Sequence, residues 1–371
     1  MLFFIMKIAF IFGTRPEIIK LSPIIKLLKK KRRNFFIIHS KQHQNYNMDQ
    51  IFIDQLNIPR PKYHLRHGKN FDFITNSIRS IKNILLQEKP NFVIVQGDTN
   101  TVLAGSLACN FLFQNKNNLN NKYYNLVHVE AGLRSFDKKM PEEINRIITD
   151  NISQILFAPT KIAKKNIEAE KINQGKVLNV GNTIVDVIDK YKKESNNNIL
   201  NKFNLQKNKF IILTLHRQET VDKQKRLKLI INTIKNNKKL KNYKIVFPIH
   251  PRTKSKLKKK IFSKNFLILE PLDYFNFLSL IINCKLIITD SGGIQEEACI
   301  LMKPCITTRL NTERPETVKI GSNILVGYNS KKLDISINTF LKKIRYWNNP
   351  FGKIGVSNRI ISYLNKFYKS L

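Results

Sequence analysis

Glu130, Glu142 and Glu143 share with Arg134 and Arg146 one short stretch, His128–Arg146. Carboxylates concentrated in this way suit proton transfer, and guanidinium groups beside them can orient them or bind an anionic substrate. The run Pro141-Glu142-Glu143 also has a purely structural explanation. Proline fits the first helical position, and acidic groups favour the N-terminal end of a helix. That explanation serves Glu143 better than Glu142. It does not cover Glu130, which lies just past the C-terminal end of the apolar run Asn125–Val129, where open α/β sheets place their ligands.

Other chemistry-bearing residues recur at the same kind of position. Asp98 follows the apolar run Phe92–Gln96. It could cap the next helix, but Thr99 and Asn100 are available for that. Arg15, in Gly13-Thr14-Arg15-Pro16-Glu17 after Lys7–Phe12, offers a fork for phosphate or carboxylate at a possible anion site, and Lys20 one turn on can share that role. This turn is not a GxGxxG, so it gives little support to dinucleotide binding. His216 ends the run Phe210–Leu215, and His250 follows Lys244–Pro248. The run Leu286–Thr289 leads into Asp290-Ser291-Gly292-Gly293, where backbone N–H groups can meet phosphate with no Cβ in the way. Glu297, one helical turn on, is placed to accept ribose hydroxyls, and Arg314 brings a second guanidinium.

The elements that must position these groups alternate strand and helix through both halves, which predicts an α/β chain of two doubly wound parallel sheets. The length of 371 residues suits two domains. The expected layout is a first domain over 1–190, a polar Lys- and Asn-rich linker over 191–209, a second domain over 210–354, and a C-terminal helix over 355–371 packing at the junction. The formal charge of +39 raises nucleic acid or an anionic membrane as partners. The lysines are scattered along surface-like stretches without a nucleic-acid module, so specific nucleic-acid binding is not expected. Cys109, Cys284, Cys299 and Cys305 lack CxxC spacing and sit in apolar segments, which predicts reduced core residues of a cytosolic protein and no metal site. The apolar opening Met1–Ile5 merges with the first strand and lacks the marks of a signal peptide. No run reaches the length of a membrane span.

The ordered marks GTRPEIIK, QGDTNT, HVEAGLR, PEEINR, GNTIVDV, LHRQE, DSGGIQEE and TERPE, spread over about Lys7 to Ile360, resemble the bacterial, non-hydrolysing UDP-N-acetylglucosamine 2-epimerases. The resemblance implies two Rossmann-like domains around a central cleft, as in the GT-B glycosyltransferases. It implies that Asp98, Glu130, Glu142 and His216 are catalytic. Arg15, Lys20, Phe277, Ser291, Gly292, Gly293, Glu297 and Arg314 would hold the UDP moiety, with Phe277 against the uracil face. Gln42, His43 and His250 would belong to a regulatory or second substrate site.

The implied reaction is reversible C2 epimerisation through 2-acetamidoglucal and UDP, needing no cofactor, in a cytoplasmic homodimer that makes surface-polysaccharide precursors. Pro350-Phe351-Gly352-Lys353-Ile354 departs from the family's usual Asp-Gly pair after this turn. Alternatives are a hydrolysing relative releasing N-acetylmannosamine, an epimerase of another UDP-2-acetamido sugar, and a GT-B glycosyltransferase. The last would need an acceptor surface and fewer carboxylates.

Overall fold

The computed structural model describes residues 6–42, 46–65, 72–114, 122–172, 175–193, 198–257, 261–342 and 346–371. The chain forms two compact units, Met1–Val187 with Phe351–Leu371, and Ile188–Pro350.

The first unit is built on β1 (Lys7–Phe12), β2 (Asn34–His39), β3 (Tyr63–His64), β4 (Phe92–Gln96), β5 (Asn125–Val129), β6 (Ile155–Ala158) and β7 (Lys176–Asn179). The central runs β1, β4, β5 and β6 are rich in β-branched and aromatic residues and almost continuously apolar, as strands buried on both faces must be, while the edge strands β3 and β7 are partly exposed. Every pairing is parallel, in the order β3-β2-β1-β4-β5-β6-β7. Ala9 and Ile11 join Val93 and Val95 in the core on one face, while Ile8 and Phe10 are buried on the other. Because β1 lies between β2 and β4, the winding reverses there and a crevice opens beyond the carboxyl ends of the strands, the place where such sheets bind ligands.

The closing helix Val356–Ser370 belongs to this unit. Its N-terminal donors are satisfied by a remote carboxylate. Asp186 accepts from the N–H groups of Gly355 (2.7 Å), Val356 (3.2 Å) and Ser357 (2.8 Å), and from the Ser357 hydroxyl (2.7 Å), which answers both the orphan donors and the positive end of the helix dipole. Further along, Phe367 and Tyr368 lie against Phe92, and Tyr363 meets Phe157 edge-on at 5.8 Å.

The second unit repeats the plan with β8 (Phe210–Thr214), β9 (Lys244–Pro248), β10 (Phe266–Leu269), β11 (Leu286–Thr289), β12 (Cys305–Thr307) and β13 (Asn323–Leu325). The order is β10-β9-β8-β11-β12-β13, all parallel, with the reversal between β8 and β11. Ile211 and Leu213 pack into one core layer and Phe210 and Ile212 into the other. Within 191–209, Asn198–Lys202 form a short helix, and Ile199, Leu200 and Leu205 join the second of these layers. All four cysteines are buried free thiols. Among the described residues no helix is long and apolar enough to cross a membrane.

Candidate active site

The turn after β1 opens the helix Arg15–Lys30, but its donors are met by the chain's own anion. Glu17, in the first helical turn and fully buried, accepts from Gly13 N–H (3.0 Å) and the Thr14 hydroxyl (2.7 Å), and from the Thr99 hydroxyl in the turn after β4 (2.9 Å). Burial pushes the Glu17 carboxyl up to about 7, against the lowering effect of these hydrogen bonds. The possible anion site expected at this turn therefore contains a side chain that ties two loops together. Arg15 is half-buried, with its guanidinium carbon 5.3 Å above the Phe52 ring. Lys20 is buried and forms an ion pair with Glu130.

Asp98 and Glu130 sit at the carboxyl ends of the adjacent strands β4 and β5, each facing a buried cation. Glu130 Oε2 is held by Lys20 and accepts from the Gln96 side-chain amide at 3.1 Å. Its backbone has φ +73°, a left-handed conformation that costs a non-glycine residue about 1–3 kcal/mol and clusters at functional sites. The N–H groups of Glu130 and Ala131 both bind the Phe157 carbonyl, at 3.0 and 3.1 Å, and fix that turn. At Asp98 the cation is Arg146. Thr99, not Asp98, caps the helix Asn100–Phe113, accepting from Val102 N–H, which leaves the Asp98 carboxylate to the site.

The helix Pro141–Ile152 supplies the remaining groups. Glu143 is buried and accepts from Ser135 and Phe136 N–H groups while pairing with Arg146 at 2.7 Å, so its function is to hold the loop before the helix. Glu142 is half-buried, and among the described residues its carboxylate makes no ion pair or hydrogen bond. Gly132, at φ +81°, closes the turn after Glu130; a Cβ there would meet the Ala163 carbonyl oxygen at 2.2 Å.

In the second unit the reversal point brings His216, after β8, against Asp290, after β11. Asp290 is fully buried and accepts from the N–H groups of His216 (2.9 Å) and Arg217 (2.9 Å), and from His216 Nδ1 (3.0 Å). Burial alone would raise its pKa, but His216 and the two backbone donors hold it below the usual carboxylate value. The contact makes Nδ1 the donor and fixes the ring, so that Nε2 is the nitrogen left for other chemistry. The His250 ring lies 6.0 Å from that of His216, and His250 Nδ1 caps its own helix by accepting from Arg252 N–H at 3.2 Å.

Beyond Asp290, Ser291 leads into the helix Gly292–Ile300. Gly292 allows Arg314 to lie against the backbone, where a Cβ would sit 2.7 Å from Nη1. Arg314 is held there by Glu296 (2.8 Å) and Glu313 (3.2 Å). On Gly293 the position of a Cβ is open, with no atom within 4 Å. Glu297 is buried, and burial, reinforced by the Glu297 charge, raises the pKa of Tyr274. Phe277 is half-buried against the core of this unit. In the first unit, Gln42 spends its side-chain oxygen on Thr101, accepting from N–H (2.9 Å) and hydroxyl (2.8 Å). His43 lies outside the described residues.

Known proteins settle the family. The profile described as UDP-N-acetylglucosamine 2-epimerase matches residues 26–365. The chain belongs to this family. It is 49% identical to the UDP-N-acetylglucosamine 2-epimerase of Methanocaldococcus jannaschii over 97% of this chain and 99% of that one. A crystal structure of the M. jannaschii UDP-GlcNAc 2-epimerase in complex with UDP-GlcNAc and UDP superposes with a TM-score of 0.88, covering 97% of this chain and 100% of the other. It is also 37% identical, over 97% of this chain and 100% of the relative, to the Pseudomonas aeruginosa UDP-2,3-diacetamido-2,3-dideoxy-D-glucuronate 2-epimerase. As a member of this family the chain is an isomerase with the two-domain α/β fold of the epimerases.

Sequence reasoning passed over Asp290, Glu17, His128 and Asp150. Asp290 had a signal, an acid at the carboxyl end of an apolar strand, but its partner lies 74 residues away and emerges only from the strand order. Glu17 reads as an ordinary first-turn acid. Asp150 is far from the loops in sequence, on the last turn of its helix.

Proposed function

We propose that the chain interconverts UDP-N-acetylglucosamine and UDP-N-acetylmannosamine by anti-elimination and re-addition of UDP. A base removes the C2 proton, the C–H electron pair becomes the C1–C2 double bond, and the C1–O bond breaks with its electrons leaving on UDP. Return of the UDP oxygen to C1, with a proton delivered to the other face of C2, gives the epimer. Hydrogen at C2 has no adjacent carbonyl to acidify it, so concerted departure of UDP avoids a free carbanion.

The observation that carries this reading is the pair Asp98 and Glu130, at the carboxyl ends of neighbouring strands beside the winding reversal, each oriented by its own buried cation. Two faces of C2 require two proton-transfer groups, and Glu142 completes the acid/base set. On the second unit, Ser291, Gly292 and Gly293 meet the diphosphate at a helix N-terminus. Glu297 takes the ribose, Phe277 the uracil face, and His216 stabilises charge as UDP departs. Arg314 acts from beneath the turn, and Arg15 and Lys20 add positive charge on the first unit.

Incubation with UDP-N-acetylglucosamine in deuterated water tests the reading. Deuterium at C2 and UDP-N-acetylmannosamine are the expected products. Intact substrate without deuterium refutes it, and accumulation of free N-acetylmannosamine with UDP points to the hydrolysing reaction. Running the diacetamido uronate nucleotide in parallel decides between the two substrate classes represented among the relatives. The reading includes a homodimer in the cytoplasm, which sedimentation and cell fractionation test.

A further inference from the structure

We infer that the buried pair Asp150 and His128 is a positioning device that sets the separation of Asp98 and Glu130, and thereby decides whether the eliminated intermediate is re-protonated or lost. This rests on the reaction proposed above. Asp150 lies in the last turn of the helix Pro141–Ile152 and is completely buried. Its Oδ1 meets His128 Nδ1 at 2.6 Å, and its Oδ2 accepts from Gly132 N–H at 3.0 Å and from Arg134 Nη1 at 2.7 Å. The other ring nitrogen of His128, Nε2, donates to the Gly97 carbonyl at 2.8 Å.

Gly97 directly precedes Asp98, and Gly132 is two residues past Glu130. One carboxylate therefore reaches both turns that present the two acids, one directly and the other through an imidazole. The same helix face adds Asn145, whose amide donates to the Asp98 carbonyl at 2.9 Å, and Arg146 on the Asp98 carboxylate. Arg134 is anchored in turn by Glu170, with both contacts at 2.7 Å. Burial alone would push Asp150 up, yet His128 and Arg134 hold it below the usual carboxylate value, as a fixed negative post requires. Neither Asp150 nor the His128 ring is exposed, so both act through other residues and are positioning groups.

Elimination needs one correctly placed base. Re-addition needs a second group at a set distance on the opposite face before the glucal escapes, so a disturbed separation harms the second half more. Replacement of His128 separates the two contacts. An Asn amide can follow Nδ1 and keep Asp150 while abandoning Gly97; a Gln amide can follow Nε2 and keep Gly97. The expected result for His128→Asn is a rise of about tenfold or more in free UDP and glucal released per epimer formed, with KM for UDP-N-acetylglucosamine within about twofold, in line with the cost of misplacing reacting groups by about an ångström. His128→Gln, which keeps the Gly97 contact but gives up Asp150, should raise the ratio by less than His128→Asn does. Asp150→Asn, read in the same way, should raise the ratio as His128→Asn does.

An unchanged release ratio in folded His128→Asn, or equal loss of turnover in the Asn and Gln variants, overturns the inference. Failure of His128→Asn and Asp150→Asn alike to give a cooperative unfolding transition also overturns it and assigns the pair to stability. Wild-type protein that places no deuterium at C2 removes the parent reading and the inference with it, an outcome distinct from the other two.

Discussion

Replacing Glu17 with Gln should make the protein more stable, by an amount that grows as pH rises from 4.5 to about 7 and is complete above it. The carboxyl is completely buried among two hydroxyl donors and one backbone donor, and burial raises it from 4.5 to about 7. Its pKa is therefore higher in the folded than in the unfolded chain. Between these two values the folded form retains a proton that the unfolded form has released, so stability falls as pH rises through the window. Above the folded value the full penalty applies, about 3 kcal/mol for this displacement. Gln imitates the neutral carboxyl, with its amide N–H meeting a threonine oxygen once that hydroxyl turns. At pH 5 variant and wild type should agree within about 1 kcal/mol, whereas at pH 8 the variant should gain about 3 kcal/mol, or about 6–12 °C in Tm for a unit of this size. Thermal and urea unfolding of both proteins at the two pH values decides the matter. A variant that tracks wild type at both, or is the less stable one at pH 8, refutes the reasoning.

Asp98→Asn should lower kcat by about 10²–10⁴, the usual contribution of a proton-transfer group, and abolish C2 deuterium exchange; NMR of the sugar nucleotide reads both. Asp290→Asn should cost roughly 1.5–3 kcal/mol for each charge-assisted hydrogen bond it weakens and lower kcat through a mis-set His216 ring. Because the folded Asp290 lies below its ordinary value, mainly through His216 once burial is overcome, its stabilisation is complete above that value and is lost as pH falls through the depressed one. The gap between wild type and variant in unfolding experiments should therefore close in acid. Gly293→Ala should leave Tm within about 1 °C, since the added methyl meets nothing, but raise KM for the UDP-sugar about tenfold, or about 1.4 kcal/mol, measured by initial rates.

Most of the strand positions were readable because each is a short apolar run ending at a glycine or a charged residue. Lys7–Phe12, Phe92–Gln96, Asn125–Val129 and Leu286–Thr289 all stand where periodicity places them. The residues that precede a turn were readable for the same reason. What the sequence could not express was which turn faces which. Lys20 reads as a phosphate contact beside Arg15, and the fold also pairs it with Glu130, 110 residues away, which no local pattern announces. Gln42, expected near a second ligand, satisfies a helix N-terminus in the fold. Glu143 was ambiguous between a dipole partner and a catalytic acid until its bonds to Ser135 and Phe136 resolved it. In each case the deciding partner is brought close by strand order, which the local pattern does not encode.

The first unit is closed by a helix that arrives only after the whole second unit has been made. Until residues 351–371 emerge from the ribosome, Asp186 has no amides to bind, and Phe92 and Phe157 lack their aromatic covers. The second unit, drawn from one uninterrupted segment, can mature during synthesis while its companion waits with a patch of sheet uncovered. Premature termination anywhere beyond the second unit would thus leave a nearly full-length polypeptide whose earliest-made half is the part unable to finish.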